Sequence, residues 1–167
     1  MDRDLARFGF LRAAAVTPQL RIADVAYNVQ AIAEGMAQAA AAGCRLALFP
    51  ELCITGYSCA DLFVQAHLLS AARAALGALA QAAAEQSLAA VVGLPLAVDG
   101  RLYNCAALLG EGWVRGLVPK VYLPTTNEFY EARWFTPGDQ AAAQAVDLEG
   151  QPVPFGVDLL FEARNLD

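Results

Sequence analysis

The stretch Arg45–Tyr57, RLALFPELCITGY, sets a short apolar run against a proline and then a single acid. Arg45–Phe49 (RLALF) reads as a buried strand that stops at Pro50. A buried strand needs covering elements, and the sequence on either side supplies them. Upstream, Leu11–Val16 (LRAAAV) is a second apolar run, closed by Thr17-Pro18, and also reads as a buried strand. Between the two runs lies VAYNVQAIAEGMAQAAAA, with Asp24 before it and Gly43 after it. Val25, Val29, Ile32 and Met36 recur at three- or four-residue spacing there. The pattern predicts a helix with an N-cap carboxylate, a C-terminal glycine and one stripe facing a core. Downstream, Asp61 stands where it can cap a second helix from about Leu62 to Gln86, and Leu88–Leu94 (LAAVVGL) reads as a third buried strand.

The rhythm then changes. Asp99-Gly100 is a hairpin-type turn between PLAV and RLYNCAALLG, and Gly110-Glu111-Gly112 leads into WVRGLVPK. The order is β-α-β-α-β followed by hairpin-linked strands, which predicts an α/β domain with a mixed sheet. A length of 167 residues suffices for one domain, able to bury roughly 70% of the unfolded surface. No repeat or low-complexity linker divides it. The last stretch, QPVPFGVDLLFEARNLD, reads as strand material plus a loop, and the C-terminus reads as interrupted.

Composition excludes several classes of function. The chain is 57% hydrophobic, but its most apolar stretch, Leu62 to Ala84, is broken by Gln65, His67, Arg73 and Gln81. A spanning helix needs an apolar run of about 18 residues, and none is present. The N-terminus mixes acids among its bases and shows no cleavage-site pattern, so no signal peptide is read. A net charge of −6 argues against nucleic acid or anionic membrane as a partner. Cys44, Cys53, Cys59 and Cys105 form no metal-binding pattern with the single His67, and read as reduced, buried thiols of a cytoplasmic protein.

Three segments could carry chemistry. Glu51 follows a buried strand, and functional groups of open α/β sheets collect at the carboxyl ends of strands. With partial burial such a carboxylate can act as a general base, although a solvated loop glutamate would look the same. Lys120, in LVPKVYLP, is restricted by Pro119 and Pro124 and could stabilise an oxyanion, or could equally be a surface lysine. In TTNEFYEARWF, Glu128 and Glu131 are spaced to share one side of a helical turn. Phe129, Tyr130, Trp134 and Phe135 could wall a small-molecule pocket or form an aromatic core patch.

In combination, FPELCITGY, VPKVYLP and FYEARWFTPG resemble the nitrilase superfamily of carbon–nitrogen hydrolases. The resemblance implies an α-β-β-α sandwich with mixed sheets, incomplete over these residues. It gives Glu51 the part of general base, Lys120 that of oxyanion stabiliser, and Glu131 that of a second glutamate orienting lysine and substrate. Tyr57, Thr126 and Phe129 become substrate contacts, with Thr126 standing where an aromatic can occur. FGFLRAAAVTPQLRIADVAYNV, PELCITGYSCADLF, KVYLPTTNEFYEARWFTPGD and VPFGVDLLFEA look more narrowly like the glutaminase domains fused to NAD synthetases.

That likeness implies glutamine as substrate and 1–167 as a partial glutaminase domain. It also implies a homo-oligomer, and ATP and Mg only in a synthetase domain that is not in the sequence. The family's cysteine nucleophile is expected beyond the DLLFEA stretch, and none of the four cysteines takes its place. The chain alone is therefore expected to be inactive and to associate with itself or fold incompletely. A free-standing amidase for another small amide and a non-catalytic interaction module are the alternative readings.

Overall fold

A computed structural model describes residues 8–163. Residues 1–7, on which much of the signal-peptide reading rests, and residues 164–167, which end the interrupted-looking segment, lie outside the described residues. The order of elements is β1 (Ala13–Ala15), α1 (Val25–Ala41), β2 (Leu46–Leu48), α2 (Ala66–Glu85), β3 (Ala89–Val98), β4 (Arg101–Gly110), β5 (Trp113–Pro119), β6 (Ala145–Leu148) and β7 (Gln151–Pro154). Strands β1 to β5 form one sheet in sequence order, and β6 and β7 form a two-stranded hairpin. The pairs β1–β2 and β2–β3 are parallel, each joined through a helix, whereas β3–β4 and β4–β5 are antiparallel. The anticipated mixed sheet is present.

Helix α1 forms as its ends dictate. The Asp24 carboxylate accepts from Tyr27 N–H at 3.1 Å, and Gly43, at φ +75°, donates its N–H to Ala40 O at 2.8 Å. Its buried stripe is Asn28, Ile32, Gly35, Met36 and Ala39, while Val25 and Val29 are only half-buried. Asp24→Ala removes the cap and is expected to lower stability by about 1 kcal/mol, read as a shift in the urea midpoint at unchanged slope.

Helix α2 departs from expectation. It starts at Ala66 after Gln65, and Asp61 does not cap it. Residues Ala60–Val64 wind instead into a short 3₁₀ turn, and Gln65 is extended at ψ 120°. The Asp61 carboxylate is engaged by Arg133 and Trp134, charged and indole donors that outcompete a backbone N–H.

Helices α1 and α2 share one core with alternate residues of the sheet. Ala47, Ala90 and Leu109 stand side by side in register, as do Val92, Ala107 and Leu117, and all are buried against Ile32, Met36, Leu76 and Leu79. Strands β1 and β2 are less buried than their apolar sequences suggest. β1 is the sheet edge with Ala13 and Ala15 exposed, and Leu48 is 43% exposed, because both helices lie on the other face. Strand β3 is buried almost throughout.

The three hairpin turns share one device. Asp99-Gly100, Glu111-Gly112 and Glu149-Gly150 all place both central residues at positive φ, the conformation that matches strand twist. The third of these joins β6 to β7, a hairpin of which the sequence reading anticipated only the second strand. Phe155 then bridges to Leu117, setting this hairpin beside β5.

Candidate active site

Three distant segments meet at the carboxyl end of β2. Phe49 N–H donates to Val91 O at 2.9 Å, and the chain turns at Pro50 to present Glu51. Leu52 holds φ +53°, a left-handed conformation that an aliphatic residue adopts only when its surroundings enforce it. Its carbonyl accepts from Thr55 N–H at 3.1 Å and Gly56 N–H at 2.8 Å. The turn rests directly on β3. A Cβ at Gly93 would lie 2.3 Å from Leu52 N and 2.9 Å from Pro50 O, so only glycine allows this approach.

Lys120 follows β5 and is fixed through its backbone, its N–H donating to Asn104 O at 2.8 Å. Gly138 packs beneath it. Its N–H donates to Lys120 O at 2.8 Å, and a Cβ there would stand 2.5 Å from Pro119 O. Glu131 opens a 3₁₀ turn, Glu131–Arg133, and donates its N–H to Pro124 O at 3.1 Å.

The Lys120 ammonium lies between the two acids, 2.7 Å from Glu51 Oε1 and 2.9 Å from Glu131 Oε1. Glu131 Oε2 is also 2.9 Å from the nitrogen, but hydrogen-bond geometry is met only at Oε1. Tyr57 OH donates to Glu131 Oε1 at 2.8 Å, and Asn104 Nδ2 donates to Glu51 Oε1. Glu131 is 2% exposed, whereas the Lys120 and Glu51 side chains keep 30% and 39% of their surface. The buried acid is thus compensated by a cation and a phenol, and the outer acid is the one an incoming group can reach.

Burial works to lower the Lys120 pKa, but hydrogen bonds and attraction from Glu51 and Glu131 outweigh it and the net shift is upward. The amine stays an ammonium at neutral pH. Burial raises the Tyr57 phenol, and its hydrogen bond to Glu131 with the nearby carboxylates raises it further, so it remains a donor. A fixed ammonium beside a reachable carboxylate can stabilise a developing oxyanion while that carboxylate accepts a proton. Among the described residues, no three His, Cys, Asp or Glu side chains are grouped to hold a metal ion.

Glu51, Lys120, Glu131 and Tyr57 therefore lie together, and Phe129 joins them edge-on to Tyr57 at 6.4 Å between ring centroids. Thr126 is on an exposed loop, where its carbonyl accepts from Phe129 N–H at 3.2 Å. Glu128 is exposed and precedes the 3₁₀ turn, so it does not share a helical face with Glu131. The four aromatics divide: Phe129 and Tyr130 are exposed, while Trp134 and Phe135 pack on Phe63 at 5.8 and 5.1 Å.

All four cysteines are buried. Burial pushes the Cys53 thiol up to about 11 and raises Cys59 and Cys105 as well, the reverse of an activated nucleophile. Sequence reading passed over Asn104, although a polar side chain inside the apolar strand RLYNCAALLG needs a buried partner. A cleft of about 310 Å³ between α2 and the β6–β7 hairpin, lined by Arg73, Gln81, Trp113 and Glu149 among others, includes none of these site residues.

Residues 12–157 match the family described as carbon-nitrogen hydrolase. The chain belongs to that family. Carbon-nitrogen hydrolase relatives include the glutamine-dependent NAD(+) synthetase of Mycobacterium tuberculosis, 42% identical over 158 residues, or 95% of this chain and 23% of that protein. The crystal structure of a glutamine-dependent NAD(+) synthetase from Cytophaga hutchinsonii superposes with a TM-score of 0.85 at 29% identity, covering 92% of this chain and 26% of that one. A Nesterenkonia amidase from the nitrilase superfamily superposes at 0.66 with 27% identity, covering 85% of this chain and 53% of its own. In another structure of that amidase, the acetamide moiety of fluoroacetamide is covalently added at the active site cysteine. The present chain spans about a quarter of the length of its synthetase relatives.

Proposed function

We propose that this carbon-nitrogen hydrolase chain is part of the glutaminase of a glutamine-dependent NAD synthetase. The observation that carries the reading is the convergence of Glu51 and Glu131 on one ammonium, that of Lys120. Identity with the synthetase relatives across most of the chain supports glutamine as the substrate.

In the proposed reaction a cysteine thiolate attacks the side-chain amide carbon of glutamine. Glu51 takes the thiol proton and returns it to the departing nitrogen, so that ammonia leaves and a thioester remains. Water then hydrolyses the thioester to glutamate, with Glu51 again accepting the proton. Lys120 stabilises the oxyanion of both tetrahedral intermediates, and Glu131 holds Lys120 charged and oriented. Tyr57, Thr126 and Phe129 contact the substrate. The burial of Cys44, Cys53, Cys59 and Cys105 supports a nucleophile other than these four. We assign the thiol to sequence other than these 167 residues. The ammonia would serve ATP- and Mg-dependent amidation of deamido-NAD by a synthetase domain of the same cytoplasmic, homo-oligomeric protein.

The 167-residue chain is expected to release no ammonia from glutamine. In the protein that carries the nucleophile, Glu51→Gln is expected to lower kcat by about 10³. Ammonia release by the chain alone that disappears in Cys53→Ser or Cys59→Ser would overturn the nucleophile assignment.

A further inference from the structure

Asp61 makes contacts beside the Glu51–Lys120–Glu131 cluster that the proposed chemistry does not use. Its carboxylate accepts from Arg133 Nε at 2.9 Å, Arg133 Nη2 at 3.1 Å and Trp134 Nε1 at 2.9 Å. These donors belong to the residues that follow Glu131 in its 3₁₀ turn and at its end. The acceptor sits on the turn Ala60–Val64, which follows Tyr57. Phe63 of that turn, 1% exposed, packs on Trp134 and Phe135. Tyr57 itself donates to Glu131. The segment 57–63 therefore grips the segment 131–135 at a phenol, a carboxylate and an aromatic ring.

A three-residue 3₁₀ turn has little stiffness of its own, so neighbours must fix its orientation. A guanidinium fork on a carboxylate sets direction as well as distance. Asp61 and Arg133 keep 68% and 62% of their side-chain surface. So exposed an ion pair adds little to global stability, and its consequence is local geometry. We propose that Asp61 is a positioning residue: through Arg133 and Trp134 it fixes the turn that delivers Glu131 to Lys120. The inference rests on the roles proposed above for Glu131 and Lys120. Hydrogen bonds from Arg133 and Trp134 hold the Asp61 carboxyl down at about 2, so the grip is charged across the physiological range.

Lys120 is the only lysine in the sequence, which makes its amine a direct reporter. The full chain and its variants are to be reductively methylated at about pH 9, with Lys120 modification followed by mass spectrometry. Glu131→Gln sets the scale and is expected to speed labelling about ten-fold, equivalent to one unit of amine pKa. Asp61→Ala is expected to speed it about three- to ten-fold with only a small change in melting temperature, and Arg133→Gln, which adds no second lysine, to do likewise. Asp61→Asn, which keeps an acceptor for the indole, should fall between these and the unaltered chain, and remains informative should Asp61→Ala unfold.

Fast labelling in Glu131→Gln with unchanged labelling in both Asp61→Ala and Asp61→Asn would overturn the positioning role and leave the proposed function standing. Fast labelling in the Asp61 and Glu131 variants alike, with glutamine hydrolysis by the nucleophile-bearing protein indifferent to both, would uphold the positioning and remove the proposed function. Unchanged labelling in Glu131→Gln would overturn both.

Discussion

Lys120→Met is expected to destabilise the chain by about 2–3 kcal/mol, because it strands a carboxylate that the fold has already buried. Glu131 is 2% exposed and takes its charge compensation from Lys120, with Tyr57 OH as the remaining donor. The loss falls below the 3–5 kcal/mol typical of a fully buried pair, since Lys120 retains 30% of its side-chain surface. Pairing the change with Glu131→Gln should recover most of it, because the neutral amide no longer needs a cation. Urea denaturation of the two single variants and the double variant closes the cycle. A loss below about 0.5 kcal/mol in Lys120→Met would show that the ion pair does not hold Glu131.

The same pair predicts alkaline behaviour. The Lys120 pKa is raised above its ordinary 10.5, so its contribution is complete below that value and lost as pH climbs through the higher folded value. Above that range the unaltered chain should approach the stability of Lys120→Met. On the proposed mechanism, the variant of the nucleophile-bearing protein should also lose about 10³ in kcat.

Gly93→Ala is expected to cost about 3 kcal/mol and to move the Glu51 turn. The new methyl would meet Leu52 N at 2.3 Å and the Glu51 carbonyl carbon and Pro50 O at 2.9 Å, all of them backbone atoms that cannot swing away. Relief requires β3 and the Pro50–Gly56 turn to separate, which stretches the 2.7 Å contact between Glu51 and Lys120. A displacement of about 1 Å at such a group is worth about 10²-fold in rate. Gly77→Ala is the control. Its Cβ, on helix α2, meets nothing within 4 Å among the described residues, so it should stabilise by about 0.5–1 kcal/mol. Equal melting temperatures for Gly93→Ala and the unaltered chain would contradict the close approach.

Much of the fold was legible because its signals are local. Asp24 and Gly43 bracket α1 within a few residues of the backbone groups they satisfy. Asp99-Gly100 and Glu111-Gly112 carry the positive φ values their hairpins need. Asp61 was misread for the converse reason. It has the composition and position of an N-cap, but its partners, Arg133 and Trp134, lie more than 70 residues away. Glu149-Gly150 escaped notice although it repeats the Glu111-Gly112 pattern, because β6 and β7 are four residues each and carry little periodicity.

The sequence by itself determined the alternation of strands and helices, the mixed sheet, and the candidate acids beside its single lysine. It did so because capping, periodicity and turn chemistry act over a few residues. Only the tertiary structure decided that Glu51 and Glu131 share one ammonium, that Trp134 and Phe135 pack on Phe63 and Phe129 pairs with Tyr57, and that Gly93 and Gly138 make room for the site. These outcomes depend on strand register and on backbone approaches between segments far apart in sequence, where burial forces each charge to find its partner.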